Sequence, residues 1–161
     1  MCGICGEIRF DKQYASLEAI NLMMKKMNSR GPDTVGTLRQ GRMCFGHNRL
    51  KIIDLSDLSQ QPLIDSHLGL AIVFNGCIYN YKELKDELRE KGYSFFSEGD
   101  TEVILKAYHA WGIGCVHRFN GMFAFAIHER DSEKTILARD RLGIKPLYYN
   151  ETNERLRFAS N

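Results

Sequence analysis

A cysteine stands at position 2, directly after Met1. Methionine aminopeptidases remove an initial methionine when the next residue is small, and removal here would leave a thiol and a free α-amine on one residue. With reference pKa values of about 8.5 for the thiol and 7.7–8.0 for the amine, both groups lie close to neutrality. The amine can take the thiol's proton directly or through a water, so Cys2 alone would supply nucleophile and base. Asn75-Gly76 follows an apolar run and has two meanings. One is a hairpin turn. The other is an oxyanion hole, in which a side-chain amide and the adjacent backbone N–H meet one developing negative charge and glycine permits close approach. Arg49 lies between His47 and the apolar Leu50, Ile52 and Ile53. It is a solvated surface charge or a strand-edge clamp that grips a substrate carboxylate through two parallel hydrogen bonds. Asp100 is a helix N-cap or the partner of a substrate ammonium. Cys2-x-x-Cys5 matches half a zinc site or a redox pair. Cys44, Cys77 and Cys115 add no second pair, so Cys5 reads as a small buried residue on the first strand.

The elements that must position these groups are legible in outline. Gly3 to Phe10 suits a strand. Leu17, Ile20, Met24 and Met27 recur at helical spacing within residues 15–29, and Arg30-Gly31-Pro32-Asp33 stops that helix. Residues 35–48 suit two short strands around Gly41. Leu70 to Phe74 is apolar throughout, as in a strand covered on both faces. Asn80 with Glu83 resembles a capping box for a helix that uses Tyr81, Leu84 and Leu88 and ends at Gly92. Asp100 or Thr101 caps the next helix, whose apolar face is Val103, Ile104, Ala107, Tyr108 and Trp111, and Gly112 closes it. Strands follow at Met122 to Ile127, Thr135 to Arg139, Leu147 to Tyr149 and Arg155 to Ala159. Strands and helices do not alternate regularly, so a layered α+β sandwich is expected rather than a βαβ fold.

The 161 residues fit one domain, 1–161, with no repeat and no linker. No apolar run approaches the roughly 20 residues of a membrane span, and the first residues lack a secretion signal. Lys and Arg number 22 against 20 Asp and Glu, a balance that argues against nucleic acid as a partner. Five cysteines without a secretion signal suggest a reduced, cytoplasmic setting.

Several segments, taken in order, resemble the glutamine-hydrolysing domain of the asparagine synthetase family, a class II glutamine amidotransferase domain. They are Met1-Cys2-Gly3-Ile4, Arg30-Gly31-Pro32-Asp33, Gly46-His47-Asn48-Arg49-Leu50-Lys51-Ile52-Ile53-Asp54-Leu55-Ser56, Gln61-Pro62-Leu63, Phe74-Asn75-Gly76-Cys77-Ile78-Tyr79-Asn80, Gly99-Asp100-Thr101-Glu102-Val103, Phe119-Asn120-Gly121-Met122-Phe123-Ala124-Phe125 and Ala138-Arg139-Asp140-Arg141-Leu142-Gly143-Ile144-Lys145-Pro146-Leu147-Tyr148-Tyr149. The series runs from the first residue almost to the last.

The resemblance implies a four-layer αββα sandwich of the N-terminal nucleophile hydrolase type. It implies hydrolysis of L-glutamine to glutamate and ammonia through a γ-glutamyl thioester on Cys2, with Met1 removed. Asn75 and Gly76 match the oxyanion hole, and Arg49 matches the clamp on the glutamine α-carboxylate. The backbone of Leu50, Lys51, Ile52 and Ile53 lines the same pocket, and Asp100 matches the partner of the α-ammonium. Two positions depart from the family pattern: Asn48 stands where most members have Arg, and Cys77 where they have Glu. Cys77 removes one anion from the ammonium pocket and leaves more to Asp100. The Asn-Gly-Cys-Ile-Tyr-Asn-Tyr segment, with Gly-Glu-Ile-Arg-Phe-Asp near the start, resembles the branch that amidates N-acetylglutaminylglutamine. No metal and no cofactor are expected in this domain. The family's ATP and Mg belong to a C-terminal synthetase domain with a Ser-Gly-Gly-x-Asp-Ser loop, which this sequence does not contain, and to which ammonia would be supplied. The full-length relatives leave room for a homodimer. A catalytically silent glutamine-binding or regulatory domain is the alternative, and retention of Met1 would favour it.

Overall fold

Alternation along two strands sets the layering. In β5 (Leu70–Ile78) and β6 (Gly121–Glu129), Ile72, Phe74, Ile78, Phe123, Phe125 and Ile127 join the larger core. The intervening Val73, Ala124 and Ala126 join a second core with Ile4, Met43, Phe45 and Phe158. Successive side chains of a strand point to opposite faces. Bulky residues therefore meet the helices on one side, and small ones let a second sheet approach on the other.

The computed structural model describes residues 1–161. The first sheet is formed by β1 (Gly3–Arg9), β2 (Thr34–Gln40), β3 (Met43–Arg49), β8 (Tyr148–Glu151) and β9 (Arg155–Ala159), in the order β2-β3-β1-β9-β8. The second has β4 (Leu63–Asp65) and β7 (Thr135–Arg139) flanking β5 and β6, in the order β4-β5-β6-β7. Every pairing is antiparallel. Between the sheets Phe45 and Phe158 meet edge to face at 5.8 Å. Fully burying one such side chain contributes about 1.5–3 kcal/mol.

Helix α1 (Leu17–Lys26) covers the outer face of the first sheet. Ser16 caps it, its hydroxyl accepting the Ala19 N–H at 3.1 Å. Ile20, Met24 and Met27 pack on Cys5, Cys44 and Ala159. A Cβ on Gly46 would lie 2.6 Å from both Ile20 and Met24, so glycine is what lets this helix seat closely. Helices α2 (Tyr81–Glu90) and α3 (Asp100–Trp111) cover the other sheet through Leu84, Leu88, Val103, Ile104, Leu105, Ala107 and Tyr108. The result is helix, sheet, sheet, helix: the four-layer αββα sandwich.

Three local expectations change. Asn75-Gly76 is not a turn; β5 runs through it, with Asn75 opposite Ala124 and Gly76 opposite Phe123. The ladder overrides the turn preference of the dipeptide, and a Cβ on Gly76 would lie 2.2 Å from the Met122 carbonyl oxygen. Glycine is thus demanded here by β6. Asn80 sits at the N-cap of α2 but makes no capping bond. Its side chain instead accepts the Asn120 N–H and donates to the Arg118 carbonyl, fastening the turn before β6. Gly99, not Asp100 or Thr101, is the N-cap of α3, and Asp100 is its first helical residue. The first and last strands are neighbours: Ile4 N–H donates to Ser160 Oγ at 3.0 Å, and Ser160 N–H to the Ile4 carbonyl at 2.9 Å.

Candidate active site

The period of two that builds the inner core also builds a cavity at one end of it. Ile4 in β1, Phe45 in β3 and Val73 in β5 face between the sheets. Stepping by two from each reaches Cys2, then His47 and Arg49, then Asn75 and Cys77. Cys2, Arg49, Asn75 and Cys77 line a cavity of about 260 Å³, together with Leu50, Ile52, Ile53, Gly76 and Asp100. Lys51 does not belong to that wall. Its N–H donates to Asp33 Oδ2 at 2.8 Å and its ammonium to Asp57 at 3.0 Å, turning it outward.

Cys2 is half-buried and its sulfur is held by one residue. The Leu50 N–H donates to Cys2 Sγ at 3.4 Å, and the thiol donates to the Leu50 carbonyl at 3.6 Å. Burial pushes the thiol pKa up, and the Leu50 backbone, the terminal amine and Arg49 draw it back in part. Arg30 Nε donates to the Cys2 carbonyl at 3.1 Å and so fixes the backbone behind the sulfur. Cys5 faces the other side of β1, buried against α1 with its thiol on the Gly46 carbonyl at 3.8 Å. Three residues apart on a strand, Cys2 and Cys5 cannot act as a pair. No three His, Cys, Asp or Glu side chains are grouped as metal ligands would be.

Two candidate donors line the same cavity as Cys2. Asn75 is buried, and its Nδ2 has no hydrogen-bond partner, which is costly for an enclosed amide. Strand β4 ends early, so beyond Ile72 the outer edge of β5 has no strand beside it. Side chains replace it: Phe74 N–H donates to Gln61 Oε1 at 2.6 Å and Ile78 N–H to Asp100 Oδ2 at 3.0 Å. Residues two apart send their N–H groups to the same edge. The Gly76 N–H, midway between these two, therefore points to that edge, where Gly76 lines the cavity.

Arg49 and Asp100 stand on different elements. The Arg49 guanidinium donates to the carbonyls of Ser56, at 2.9 Å, and Asp54. A guanidinium has five N–H donors, so others remain for a ligand. Asp100 is buried, and burial pushes its pKa up to about 6 against the pull of the Ile78, Asp100 and Thr101 N–H groups. The Cys77 thiol is raised by burial and by Asp100, and lowered by Lys145. His47 bridges the sheets, Nε2 lying 3.3 Å from the Phe74 carbonyl. Burial, with Arg49 adding to it, lowers its pKa to about 3, which leaves a neutral strut rather than a base.

Sequence reading missed several wall residues, among them Asp54, Ser59, Gln61, Thr101, Met122 and Lys145. Lys145 is buried and its ammonium donates to Met1 Sδ at 3.3 Å. Asp54, Gln61, Thr101, Met122 and Lys145 all fall inside the quoted motif segments, which was the only available signal.

A glutamine amidotransferase domain family matches residues 1–161. The chain is 36% identical to "Asparagine synthetase [glutamine-hydrolyzing] 3" of Bacillus subtilis, covering 99% of this chain and 26% of that protein. It is 41% identical to "Putative asparagine synthetase [glutamine-hydrolyzing] 2" of Methanocaldococcus jannaschii, covering 99% of this chain and 34% of that protein. It therefore spans about a quarter to a third of the length of these relatives. The solved glutamine phosphoribosylpyrophosphate amidotransferase from B. subtilis, complexed with ADP and GMP, superposes with a TM-score of 0.80 at 21% identity. That match covers 99% of this chain and 42% of the solved one, and it shows a shared fold. No helix is long and apolar enough to cross a membrane.

Proposed function

The chain belongs to the glutamine amidotransferase domain family, and from that premise we propose that it hydrolyses L-glutamine to glutamate and ammonia through a γ-glutamyl thioester on Cys2. Removal of Met1 frees the Cys2 α-amine. The amine takes the thiol proton as Sγ attacks the side-chain amide carbon. Asn75 Nδ2 and the Gly76 N–H hold the resulting oxyanion, and the amine returns the proton to the departing ammonia. Water then cleaves the thioester, releasing glutamate and restoring the thiol. Arg49 holds the α-carboxylate, and Asp100 meets the α-ammonium, with Cys77 beside it contributing no charge. Leu50, Ile52 and Ile53 close the wall.

The observation that carries this reading is the unpartnered Asn75 amide, buried in the same cavity as the Cys2 sulfur. Such a donor donates to any oxygen brought beside it, and bonds an oxyanion more strongly than the neutral carbonyl it develops from. The names and lengths of the relatives support a wider role: ammonia passes to an ATP- and Mg-dependent synthetase domain that forms an amide, on aspartate or on a peptide such as N-acetylglutaminylglutamine. The glutaminase step itself needs no cofactor.

The test joins intact mass to ammonia release from glutamine. Loss of one methionine together with release that disappears in Cys2→Ala supports the reading. A chain that has lost Met1, binds glutamine and releases no ammonia is instead a silent binding domain.

A further inference from the structure

The two charged ends of an amino acid in this cavity would be met from opposite sides, because Arg49 closes β3 and Asp100 opens α3. Asp54 joins those two sides. Its Oδ1 accepts the Ser56 N–H at 2.8 Å. Its Oδ2 accepts the Ser59 hydroxyl at 2.6 Å and the Glu98 N–H at 3.1 Å. Its own carbonyl accepts the Arg49 guanidinium. One residue is thus bonded to the Arg49 side chain, to its own loop, and to the backbone two residues before Asp100. Burial disfavours its charge, yet the bonds from Ser59, Ser56 and Glu98 hold the carboxyl well below the usual range. The seam it crosses is tight. A Cβ on Gly99 would lie 2.6 Å from Ser59 Oγ and 3.6 Å from Asp54 Cβ.

We propose that Asp54 is a positioning residue that sets the span between Arg49 and Asp100, and thereby the selectivity of the cavity for a ligand carrying both an α-carboxylate and an α-ammonium. The inference rests on the reading of Arg49 and Asp100 given above as the partners of those two groups. A ligand that engages only one of them does not sense the span. Asp54 is not needed for the attack by Cys2, since the sulfur is held by Leu50 and not by this network.

The experiment is calorimetric binding to the Cys2→Ala chain, with L-glutamine compared against glutaramate, the same amide lacking the α-ammonium. Asp54→Ala is expected to weaken glutamine by about tenfold or more, the scale of one charge-assisted contact, and glutaramate by less than about threefold. Asp54→Asn, which keeps the size and one acceptor, should fall between wild type and Asp54→Ala. Gly99→Ala keeps the Asp54 charge but displaces Ser59 Oγ, its hydroxyl donor, and should reproduce part of the selective loss. If Asp54→Ala leaves glutamine binding unchanged, or weakens both ligands equally, the proposal is overturned. If Asp54→Ala weakens glutamine while Asp54→Asn binds both ligands as wild type does and Gly99→Ala is silent, the hydrogen-bond network does not set the span and the positioning role fails. Failure of the processed wild-type chain to release ammonia would sink the hydrolytic reading and leave this one standing on the binding data.

Discussion

Cys2 and Leu50 face each other twice, sulfur to N–H at 3.4 Å and thiol to carbonyl at 3.6 Å. The first contact favours a thiolate and the second a thiol, so the sulfur has a Leu50 partner in either protonation state. This makes Cys2 the expected site of modification by a glutamine-like electrophile. A diazo-ketone norleucine should leave a single adduct, located on Cys2 by mass spectrometry. Cys2→Ala should abolish both labelling and ammonia release. An adduct mainly on Cys77 would move the nucleophile to β5.

On the proposed mechanism, Asn75 matters most once charge has developed. Asn75→Ala should reduce turnover by about 10²–10³, the size expected for one lost oxyanion donor. Glutamine affinity should change far less, because that donor is poorly used in the ground state. An affinity loss as steep as the turnover loss would make Asn75 a substrate-holding residue.

The neighbouring glycine should behave differently. Gly76→Ala forces a methyl to 2.2 Å from the Met122 carbonyl across the β5–β6 ladder. Overpacking of this kind costs about 1–3 kcal/mol or more. Denaturant unfolding should show lower stability for Gly76→Ala and near wild-type stability for Asn75→Ala.

Burial sets a pH dependence through Asp100, raised to about 6. Above that value the carboxylate is ionised and can meet an α-ammonium; below it the group is neutral. The Michaelis constant for glutamine should be flat above about pH 7 and climb toward about tenfold per unit on the acid side of 6. Asp100→Asn should raise the constant at pH 8 and flatten its acid-side rise. An unchanged constant would reduce Asp100 to a partner for the Ile78 N–H.

Cys77 shares the cavity wall with Asp100 and Lys145, which push its thiol pKa in opposite directions. Cys77→Glu would supply a second carboxylate in the cavity and should recover part of the affinity lost in Asp100→Asn. Steady-state kinetics on the two single variants and the double variant decide this. A double variant worse than Asp100→Asn alone shows that position 77 does not face the ammonium.

The layers were legible because they follow from periodicity. The unbroken apolar run from Leu70 to Phe74 meant a strand covered on both faces, and the helices were marked by spacing and by glycines at their ends. What stayed hidden depended on contacts distant in sequence. Asn75-Gly76 looked like a turn because its strand partner lies almost 50 residues away, with Gly76 opposite Phe123. Asn80 was readable as a cap, yet its amide is diverted to Asn120 and Arg118. Arg49 could be named, but its tether to the Asp54 and Ser56 carbonyls could not. Lys145 looks like any solvated lysine until β8 and β1 bring it over Met1. Lys51, adjacent to true wall residues, shows the reverse: membership in a motif does not decide which way a side chain turns.

The placement of β9 between β1 and β8 has a consequence for the order in which the molecule can be made. Cys5 pairs with Ala159, so β1, which follows directly on Cys2, keeps one edge open until β9 has emerged from the ribosome. Pairings this distant in sequence are slow to nucleate. At the usual speed of synthesis the interval is on the order of ten seconds. During that interval Met1 can be cut from a terminus whose following strand, β1, is not yet locked into its sheet. Removal of Met1, where it occurs, and completion of this sheet are thus separable in time, the first open to a processing enzyme from the start of synthesis and the second waiting on residues 155–159.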